Sequence, residues 1–307
     1  MISTQQIAYI LAIVETRSFS RAAEHCFVTQ PTLSMQVKKA EEQLGFSIFN
    51  RDSAKLELSD FGTALIPVLR QIQGDLGSIQ RLTEEFSGTY HEQLRIGVIP
   101  TIACYLLEDC FAEWQSLIPT TQLNIEELKT EELIEALEAR KIDLAILAGP
   151  IESTSWRSIP LYREEIWAYL PQSEKTVVAV NELQALHPWL LSKGNCLRTQ
   201  MMHFCSLNDE QTIGWNYTGG NIDLLMRMAD LNGGYTLIPE NYKLNFPAKQ
   251  SAFKQIVDDV NHSPGRSVIA VSAYRHANWE SMEKIIRSMQ LRYGRDTRVN
   301  LELLSWR

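Results

Sequence analysis

The chain has 307 residues, of which 45% are hydrophobic, and its 37 acidic and 29 basic residues give a net charge of −8 at pH 7. This length predicts two or more domains, and the hydrophobic content argues against a disordered or fibrous protein. An odd number of cysteines, no apolar run of about 18 residues and no leader-like start argue against a secreted disulfide scaffold or a membrane protein, so we expect a cytoplasmic chain without membrane contact.

Three short helices are predicted within the first 45 residues. Apolar residues recur at helical spacing from Ile7 to Val14, and a second short helix follows at 18–26. Thr29 can cap a third helix, whose apolar stripe ends before Gly45. Segments 48–51 and 55–58 have the pattern of a small β-hairpin. This order is typical of a winged helix-turn-helix domain.

The polar face of the third helix is a candidate DNA-binding surface. Short polar side chains and two lysines on that face can reach base edges and phosphates in a major groove, and a plain solvated helix surface is the alternative. Residues 1–90 contain slightly more carboxylates than cations. Affinity for DNA therefore has to depend on a few well-placed cations, repeated in two copies of the chain.

Residues 59–86 predict one long helix with an apolar stripe. Apolar residues from Leu65 to Phe86 follow a seven-residue pattern, and about 27 helical residues span roughly 40 Å, more than a small domain can bury. A seam between two copies of the chain is the expected burial. Pro67 should bend or locally break the helix. Residues 87–90 read as a linker.

The N-terminal motifs resemble those of LysR-type transcriptional regulators. They are FSRAAE at 19–24, VTQPTLS at 28–34, and EEQLG at 41–45 followed by FNR at 49–51. The resemblance implies a partner of double-stranded promoter DNA, a homodimer or homotetramer formed through the long helix and the effector domain, and possible contact with RNA polymerase. The candidate DNA-binding residues are Ser20, Arg21, Gln30, Pro31, Thr32, Ser34, Met35, Lys38, Lys39 and Arg51.

The rest of the chain alternates strands and helices. Strands are expected at 94–100, 121–126, 142–147, 166–170, 212–217, 235–238 and 268–271, and helices at 101–117, 130–140, 221–230 and 279–293. Thr130 is expected to cap the second of these helices. Such alternation predicts βαβ units, a parallel sheet and a ligand cleft outside the strand ends. The fold class is thus an all-α winged helix-turn-helix with a long dimerising helix, followed by an α/β effector domain of two Rossmann-like, periplasmic-binding-protein-like lobes.

We expect the domain boundaries to follow these elements. The DNA-binding domain covers residues 1–58, and the linker helix and hinge cover 59–90. The effector domain covers 91–307, with lobe I at 91–160 and 266–307 and lobe II at 161–265.

Cys196 is the candidate reactive thiol. The Gly-Asn turn at 194–195 precedes a helix that opens with Cys196, and the backbone N–H groups of a helix start, together with Lys193 and Arg198, favour a thiolate. Cys205 follows nine residues later. If both cysteines lie on one helix they are roughly 13 Å apart, whereas a disulfide tolerates about 7 Å between Cα atoms. Pairing would require the helix to unfold, as in a redox switch, and two ordinary core cysteines are the alternative.

Two effector-domain segments resemble OxyR-type peroxide sensors within the LysR-type family: IPT at 99–101 and GNCLRTQ at 194–200. The resemblance implies that Cys196 is the peroxidatic residue, that Cys205 is the resolving one, and that oxidation changes the dimer and its grip on DNA. It also implies an effector pocket formed by Thr101, Thr130, Asn195 and Arg266. The family usually has His where this chain has Asn195, which can also serve as a plain helix cap.

Two other functions stay open. The same scaffold could respond to a small anionic metabolite with incidental cysteines, or the chain could be a thiol peroxidase-like enzyme whose N-terminal helices only dimerise. No hydrolase, zinc-protease or phosphate-loop motif is present, and Cys196, His203 and Cys205 match no closed zinc pattern. We therefore expect a regulator rather than an enzyme, with no cofactor or metal, and with Cys26, Cys104 and Cys110 buried.

Overall fold

The computed structural model describes residues 2–50, 56–87, 92–151, 156–207, 219–273, 276, 278–294 and 301–304. The chain divides into two compact units, residues 1–90 with 138–140 and residues 91–137 with 141–307. In the described part of the chain, no helix combines the length and the apolar character that crossing a membrane requires.

The N-terminal unit opens with the three predicted helices, α1 (Thr4–Thr16), α2 (Phe19–His25) and α3 (Gln30–Leu44). Each begins after a Ser or Thr whose side chain accepts a hydrogen bond from the backbone N–H three residues on, which satisfies one donor of the first turn. Gly45 ends α3 with φ +78°, a conformation that favours glycine. Strands β1 (Phe49–Asn50) and β2 (Glu57–Leu58) are antiparallel, as predicted, and the hairpin tip lies outside the described residues.

The long helix α4 (Asp60–Ser87) continues through Pro67, so the predicted local break at this proline is wrong, while the alternative of a bend stays a prediction. Ile66 and Leu69 on either side of it are buried in the N-terminal core, which holds the helix despite the lost hydrogen bond. Leu65 also packs against this core. The other apolar residues of the stripe are exposed in the single chain: Val68, Ile72, Leu76, Ile79, Leu82 and Phe86.

Lobe I of the effector unit is built on three parallel strands in the order β4-β3-β5. Their bounds are β3 (Gln93–Val98), β4 (Gln122–Glu127) and β5 (Leu144–Gly149). Helices α5 (Pro100–Leu117) and α6 (Thr130–Glu138) connect them, and the C-terminal helix α11 (Trp279–Tyr293) packs on α5. The parallel strand ends place the starts of α5 and α6 at the same edge of the sheet.

Lobe II contains shorter elements. The strands are β7 (Val177–Ala179), β8 (Thr236–Pro239) and β9 (Phe253–Val257). The helices are α7 (Val180–Gln184), α8 (Cys196–Phe204), α9 (Ile222–Asn232) and α10 (Glu240–Lys243). The strand predicted at 212–217 lies outside the described residues.

Two long antiparallel strands belong to both lobes, β6 (Trp156–Tyr169) and β10 (Ser263–Ala273). β10 pairs with β5 in lobe I, and the far end of β6 pairs with β8 and β9 in lobe II. A short strand β11 (Leu301–Leu303) runs parallel to 263–265. The prediction of a parallel sheet is therefore correct for β3–β5 and wrong for the whole sheet, because the two crossing strands run antiparallel to their neighbours.

Candidate functional site

Cys196 is the first residue of α8, where the sequence placed it. Gly194 turns the chain with φ +88°, Asn195 takes the N-cap position, and the first-turn N–H groups of Arg198 and Thr199 reach the Asn195 carbonyl at 3.0 and 3.3 Å. Cys196 is buried, with 4% of its surface exposed. The partial positive charge of the helix start therefore lies at a sulfur that is screened from water.

Asn195 does not cap the helix with its side chain. Its Nδ2 donates to the Ser192 carbonyl at 3.0 Å and to the Ser192 hydroxyl at 2.9 Å, and its side chain makes no capping hydrogen bond. The interpretation of Asn195 as a plain side-chain cap is thus wrong, because Asn195 takes the N-cap position but its side-chain oxygen accepts no hydrogen bond from the first turn of the helix. Both amide hydrogens hold the turn at 192–195 closed.

Arg266 is the cation that the fold places with Cys196. It is fully buried on β10; its Nη1 donates to the Thr101 hydroxyl at 2.8 Å and its Nη2 to the Thr101 carbonyl at 2.9 Å, while its Nε donates to Glu164 Oε1 at 2.8 Å. Burial lowers the pKa of Arg266, but the charges of Glu164, Tyr105 and Cys196, together with the hydrogen bond to Glu164, raise it above its ordinary value. The guanidinium also interacts electrostatically with Cys196. A thiolate at Cys196 therefore has a permanent buried counter-charge nearby.

The starts of α5, α6 and α8 meet where lobe I faces lobe II. A Cβ added at Gly194 would lie 3.2 Å from Cδ of Lys129, and one added at Gly220 would lie 2.8 Å from Cβ of Pro100. Thr130 was predicted to cap α6, which is wrong. It is the first helical residue, and the N–H of the preceding Lys129 instead donates to the Glu132 carboxylate at 2.9 Å.

The Thr130 hydroxyl is buried and has no hydrogen-bond partner among the described residues. An unpaired buried hydroxyl is costly, so it is available to a small polar ligand. With the Thr101 hydroxyl and the buried guanidinium, it supplies polar groups of the kind that bind an anion or a peroxide.

Cys205 ends α8 and is completely buried. Its N–H donates to the Met201 carbonyl at 3.0 Å, and its carbonyl accepts from Gln184 Nε2 at 3.0 Å. Burial raises the pKa of the Cys205 thiol to about 12, and the neighbouring Tyr235 hydroxyl acts in the opposite direction. That hydroxyl is buried and has no hydrogen-bond partner within the described chain.

All five cysteines are free thiols. Burial raises the pKa of Cys26, Cys104 and Cys110 as well, to about 11 for Cys110, so these thiols stay protonated at neutral pH. The expectation that all three are buried holds for Cys110 only, because Cys26 and Cys104 are partly exposed. Within the described residues, no group of three or more His, Cys, Asp or Glu side chains could hold a metal ion.

Most of the candidate DNA-binding residues are exposed side chains of α2 and α3. Leu33, Val37 and Ala40 turn one face of α3 into the core, which leaves the opposite face to solvent. Gln30 donates from Nε2 to the Ser34 hydroxyl at 3.1 Å. The exposed candidates are Ser20, Arg21, Gln30, Pro31, Thr32, Met35, Lys38 and Lys39, Ser34 is partly buried, and Arg51 lies outside the described residues.

The sequence did not predict the buried carboxylate of Glu164, which pairs with Arg266. Glu164 is fully buried on β6, opposite Arg266 in the strand register, and Tyr105 and Asn241 also donate to it. The available signal was a pair of consecutive acids, 164–165, inside an otherwise apolar strand. A buried carboxylate requires a partner, so the pair predicts a cation in the neighbouring strand.

Comparison with known proteins agrees with these features. Residues 4–63 match the family "Bacterial regulatory helix-turn-helix protein, lysR family", and residues 87–259 match "LysR substrate binding domain". A "Hydrogen peroxide-inducible genes activator" of Pectobacterium carotovorum subsp. carotovorum is 31% identical over 241 residues, which cover 76% of this chain and 79% of that protein. The "HTH-type transcriptional regulator EstR" of Acinetobacter baylyi is 26% identical over 88% of this chain and 90% of that protein.

Among solved structures, a full-length OxyR variant of Pseudomonas aeruginosa superposes with a TM-score of 0.67 at 22% identity, covering 95% of this chain and 98% of that one. At this identity the likeness concerns the fold, and it extends over both units of the chain.

Proposed function

The chain belongs to the LysR family of DNA-binding transcriptional regulators, and we propose that it senses peroxide through Cys196 and Cys205. The observation that carries the proposal is the place of Cys196, at a helix start with the buried guanidinium of Arg266 as counter-charge, while Cys205 lies at the other end of the same helix. The similarity to a hydrogen peroxide-inducible activator supports the choice of oxidant.

The first chemical step takes place at the Cys196 sulfur. The thiolate attacks one oxygen of hydrogen peroxide, the O–O bond breaks, and Cys196 becomes a sulfenic acid while the second oxygen leaves as hydroxide and takes up a proton to form water. In this step Arg266 stabilises the thiolate, and the hydroxyls of Thr101 and Thr130 can hydrogen-bond the peroxide oxygens.

The second step joins the two cysteines. The Cys205 sulfur attacks the sulfenic sulfur of Cys196, the S–O bond breaks, and a disulfide and water form. The rise over nine helical residues places the two Cα atoms roughly 13 Å apart, whereas a disulfide tolerates about 7 Å, so α8 must unfold for the bond to form. The contacts of α8 with lobe II are then lost. The oxidised protein therefore has a different effector-domain conformation and binds DNA differently.

Asn195 distinguishes this site from the usual family pattern with His. Its amide hydrogens are bound to Ser192, so the amide does not donate to a peroxide in the reduced protein. The contribution of position 195 to the reaction with peroxide is therefore smaller here. Arg266, Thr101 and Thr130 have to polarise the peroxide O–O bond instead.

A small anionic metabolite is the second candidate effector. The unpaired Thr130 hydroxyl and the helix starts of α5 and α6 favour it, and the similarity to EstR shows that this scaffold is not confined to regulators named for peroxide. In that case the cysteines are incidental, and Cys196→Ser leaves the response unchanged.

DNA binding rests on α3 and its neighbours. We propose that the exposed candidates on α2 and α3, together with Arg51, contact promoter DNA, with Lys38 and Lys39 on phosphates. The exposed stripe of α4 supports a homodimer or homotetramer, since the six exposed apolar side chains of this helix can be buried against another copy of the chain. We also propose that the domains are divided after residues 58 and 90. We further propose that the protein is cytoplasmic, in the same compartment as promoter DNA, and that it contacts RNA polymerase.

Thiol mapping in the two redox states tests the peroxide proposal. Reduced protein is treated with one equivalent of hydrogen peroxide, the remaining thiols are alkylated, and peptides are identified by mass spectrometry. The expected product is a disulfide between Cys196 and Cys205, and a sulfenic acid at Cys196 in Cys205→Ser. DNA binding is titrated in parallel at fixed salt, because phosphate contacts dominate affinity. A reduced Cys196, or an unchanged DNA response in Cys196→Ser, contradicts peroxide sensing.

A further inference from the structure

Glu164 and Arg266 form an ion pair with no exposed surface. They are directly opposite each other in the antiparallel register of β6 and β10, and Arg266 Nε lies 2.8 Å from Glu164 Oε1. Charges removed from water in this way are costly unless they are paired and fully hydrogen-bonded. The surroundings of Glu164 meet this condition.

Three groups donate to the Glu164 carboxylate. Besides Arg266, the Tyr105 hydroxyl donates to Oε1 at 2.9 Å and Asn241 Nδ2 donates to Oε2 at 2.9 Å. Tyr105 also lies 2.6 Å from the Tyr162 hydroxyl. Burial, followed by the charge of Glu164, raises the pKa of Tyr105 well above its ordinary range, so this hydroxyl stays protonated and remains a donor. Glu164 thus joins α5 of lobe I, α10 of lobe II and the crossing strand β10.

The ion pair also fixes the direction of the guanidinium. Nε is held by Glu164, while Nη1 and Nη2 are held by the hydroxyl and the carbonyl of Thr101. An arginine has five N–H groups in a rigid plane, and three of them are used in these bonds. The other two have no hydrogen-bond partner among the described residues.

We propose that Glu164 is a positioning residue of the sensor site, which sets the direction of Arg266 and limits how strongly the Arg266 charge favours the Cys196 thiolate. The inference rests on the proposed function, because it assigns the reacting role to Cys196. A carboxylate 2.8 Å from the guanidinium offsets much of its field at the thiol. Removal of that negative charge leaves Arg266 with the Cys196 thiolate as its remaining counter-charge.

Other ionisable groups lie near Arg266 or beside Cys196 in the chain. Arg266 interacts electrostatically with Cys196 and Tyr105, and also with Cys104 and Tyr162. Cys104 in turn interacts with Glu127 at the end of β4. Lys129 lies beside Gly194, and Lys193 and Arg198 flank Cys196 in its own segment. Arg198 is directed to the Leu191 carbonyl at 3.0 Å, and Lys193 is exposed. A substitution at Glu164 changes the charge nearest to Arg266 and leaves these groups in place.

The test is the pH dependence of Cys196 alkylation by iodoacetamide in the reduced, full-length protein, followed on the peptide that contains Cys196. Glu164→Gln keeps an acceptor for Arg266 but removes the charge, and we expect the pH of half-maximal alkylation rate to fall by about one unit. Glu164→Asp keeps the charge, so its profile should match the wild type. Glu165→Gln is the matched control, since its buried carboxylate accepts from Gln255 rather than Arg266.

An unchanged profile in Glu164→Gln, or an equal shift in Glu165→Gln, overturns the inference. If Glu164→Gln does not fold, Asn241→Ala replaces it, because this half-buried side chain contributes one hydrogen bond to Oε2. Without that bond the carboxylate pairs more strongly with Arg266, and the profile should move to higher pH; no movement again overturns the inference. The assay uses no peroxide, so a Cys196 that peroxide fails to oxidise would refute the proposed function separately.

Discussion

Substitution of Met201 by Ala should accelerate the disulfide between Cys196 and Cys205. Met201 lies on the buried face of α8 with 2% of its surface exposed, next to the equally buried Leu197. If the two sulfurs meet only when α8 unfolds, this face must leave the core before the bond can form. A smaller side chain at 201 lowers the free energy of that opening.

The expected size of the effect follows from the burial. Truncation of a fully buried methionine to alanine costs about 2–5 kcal/mol of stability. If even half of the smaller figure applies to local opening, the opening free energy falls by about 1 kcal/mol, and about 1.4 kcal/mol corresponds to a tenfold change in rate. Disulfide formation should therefore accelerate by roughly five- to tenfold or more, while sulfenic acid formation at Cys196 keeps its rate.

Rapid-quench alkylation and mass spectrometry measure the two steps separately after addition of one equivalent of peroxide. Met289→Ala is the control, because Met289 is completely buried on α11 of lobe I and its loss destabilises the effector unit without touching α8. Equal acceleration in the two variants, or none in Met201→Ala despite a lower melting temperature, would show that the cysteines reach each other without unfolding of this helix.

Three further predictions concern stability and DNA binding. Tyr235→Phe removes a buried hydroxyl that lacks a partner among the described residues and should raise the free energy of unfolding by about 1 kcal/mol in urea, whereas Tyr169→Phe, which loses a 2.6 Å bond to Asp230, should lower it. Burial raises the pKa of Asp143, but hydrogen bonds from His276 and Arg95 outweigh it and lower the pKa to about 2. Its contribution of about 2 kcal/mol is complete above pH 5 and is lost as the pH falls from 4 to 2, so the melting temperature of Asp143→Asn should vary less with pH in that window. Lys38→Ala should reduce the slope of log affinity against log salt concentration by about 1, equally for all DNA sequences, as measured by fluorescence anisotropy. The control is Lys193→Ala, because Lys193 is exposed and lies outside the N-terminal unit.

Helices were predicted well where caps and apolar spacing are local properties. The helix α11 spans Trp279–Tyr293 as predicted, and α8 begins at Cys196 because the turn at 194–195 leaves no other start. The crossing strands were predicted less well. The strand predicted at 166–170 is only the end of the 14-residue β6, because its first half pairs with β10, far away in the chain.

The site was predicted in part. Local sequence placed Cys196 at the start of a helix and left open whether Cys205 lies on the same helix. It also could not decide whether the Asn195 side chain would bind the helix or the turn before it. That outcome depends on the backbone angles of 192–194. Glu164 was missed because its partner lies 102 residues away, and only the fold shows that β6 and β10 are neighbours. The hydroxyl of Thr130 was assigned to a cap that Lys129 and Glu132 provide one residue earlier.

The short strand β11 connects the end of the described chain to the sensor. It lies beside 263–265, directly before Arg266, and Gln200 of α8 donates from Nε2 to the Leu304 carbonyl at 3.1 Å. A frameshift or nonsense allele that removes only residues after 294 leaves the promoter-reading helices whole but strips support from both the reactive centre and the switch helix. Genetic selections for strains that no longer respond to the stimulus should therefore recover truncations after residue 294 as readily as substitutions at the cysteines. A bulky fusion partner attached after residue 307 should cause the same loss of response.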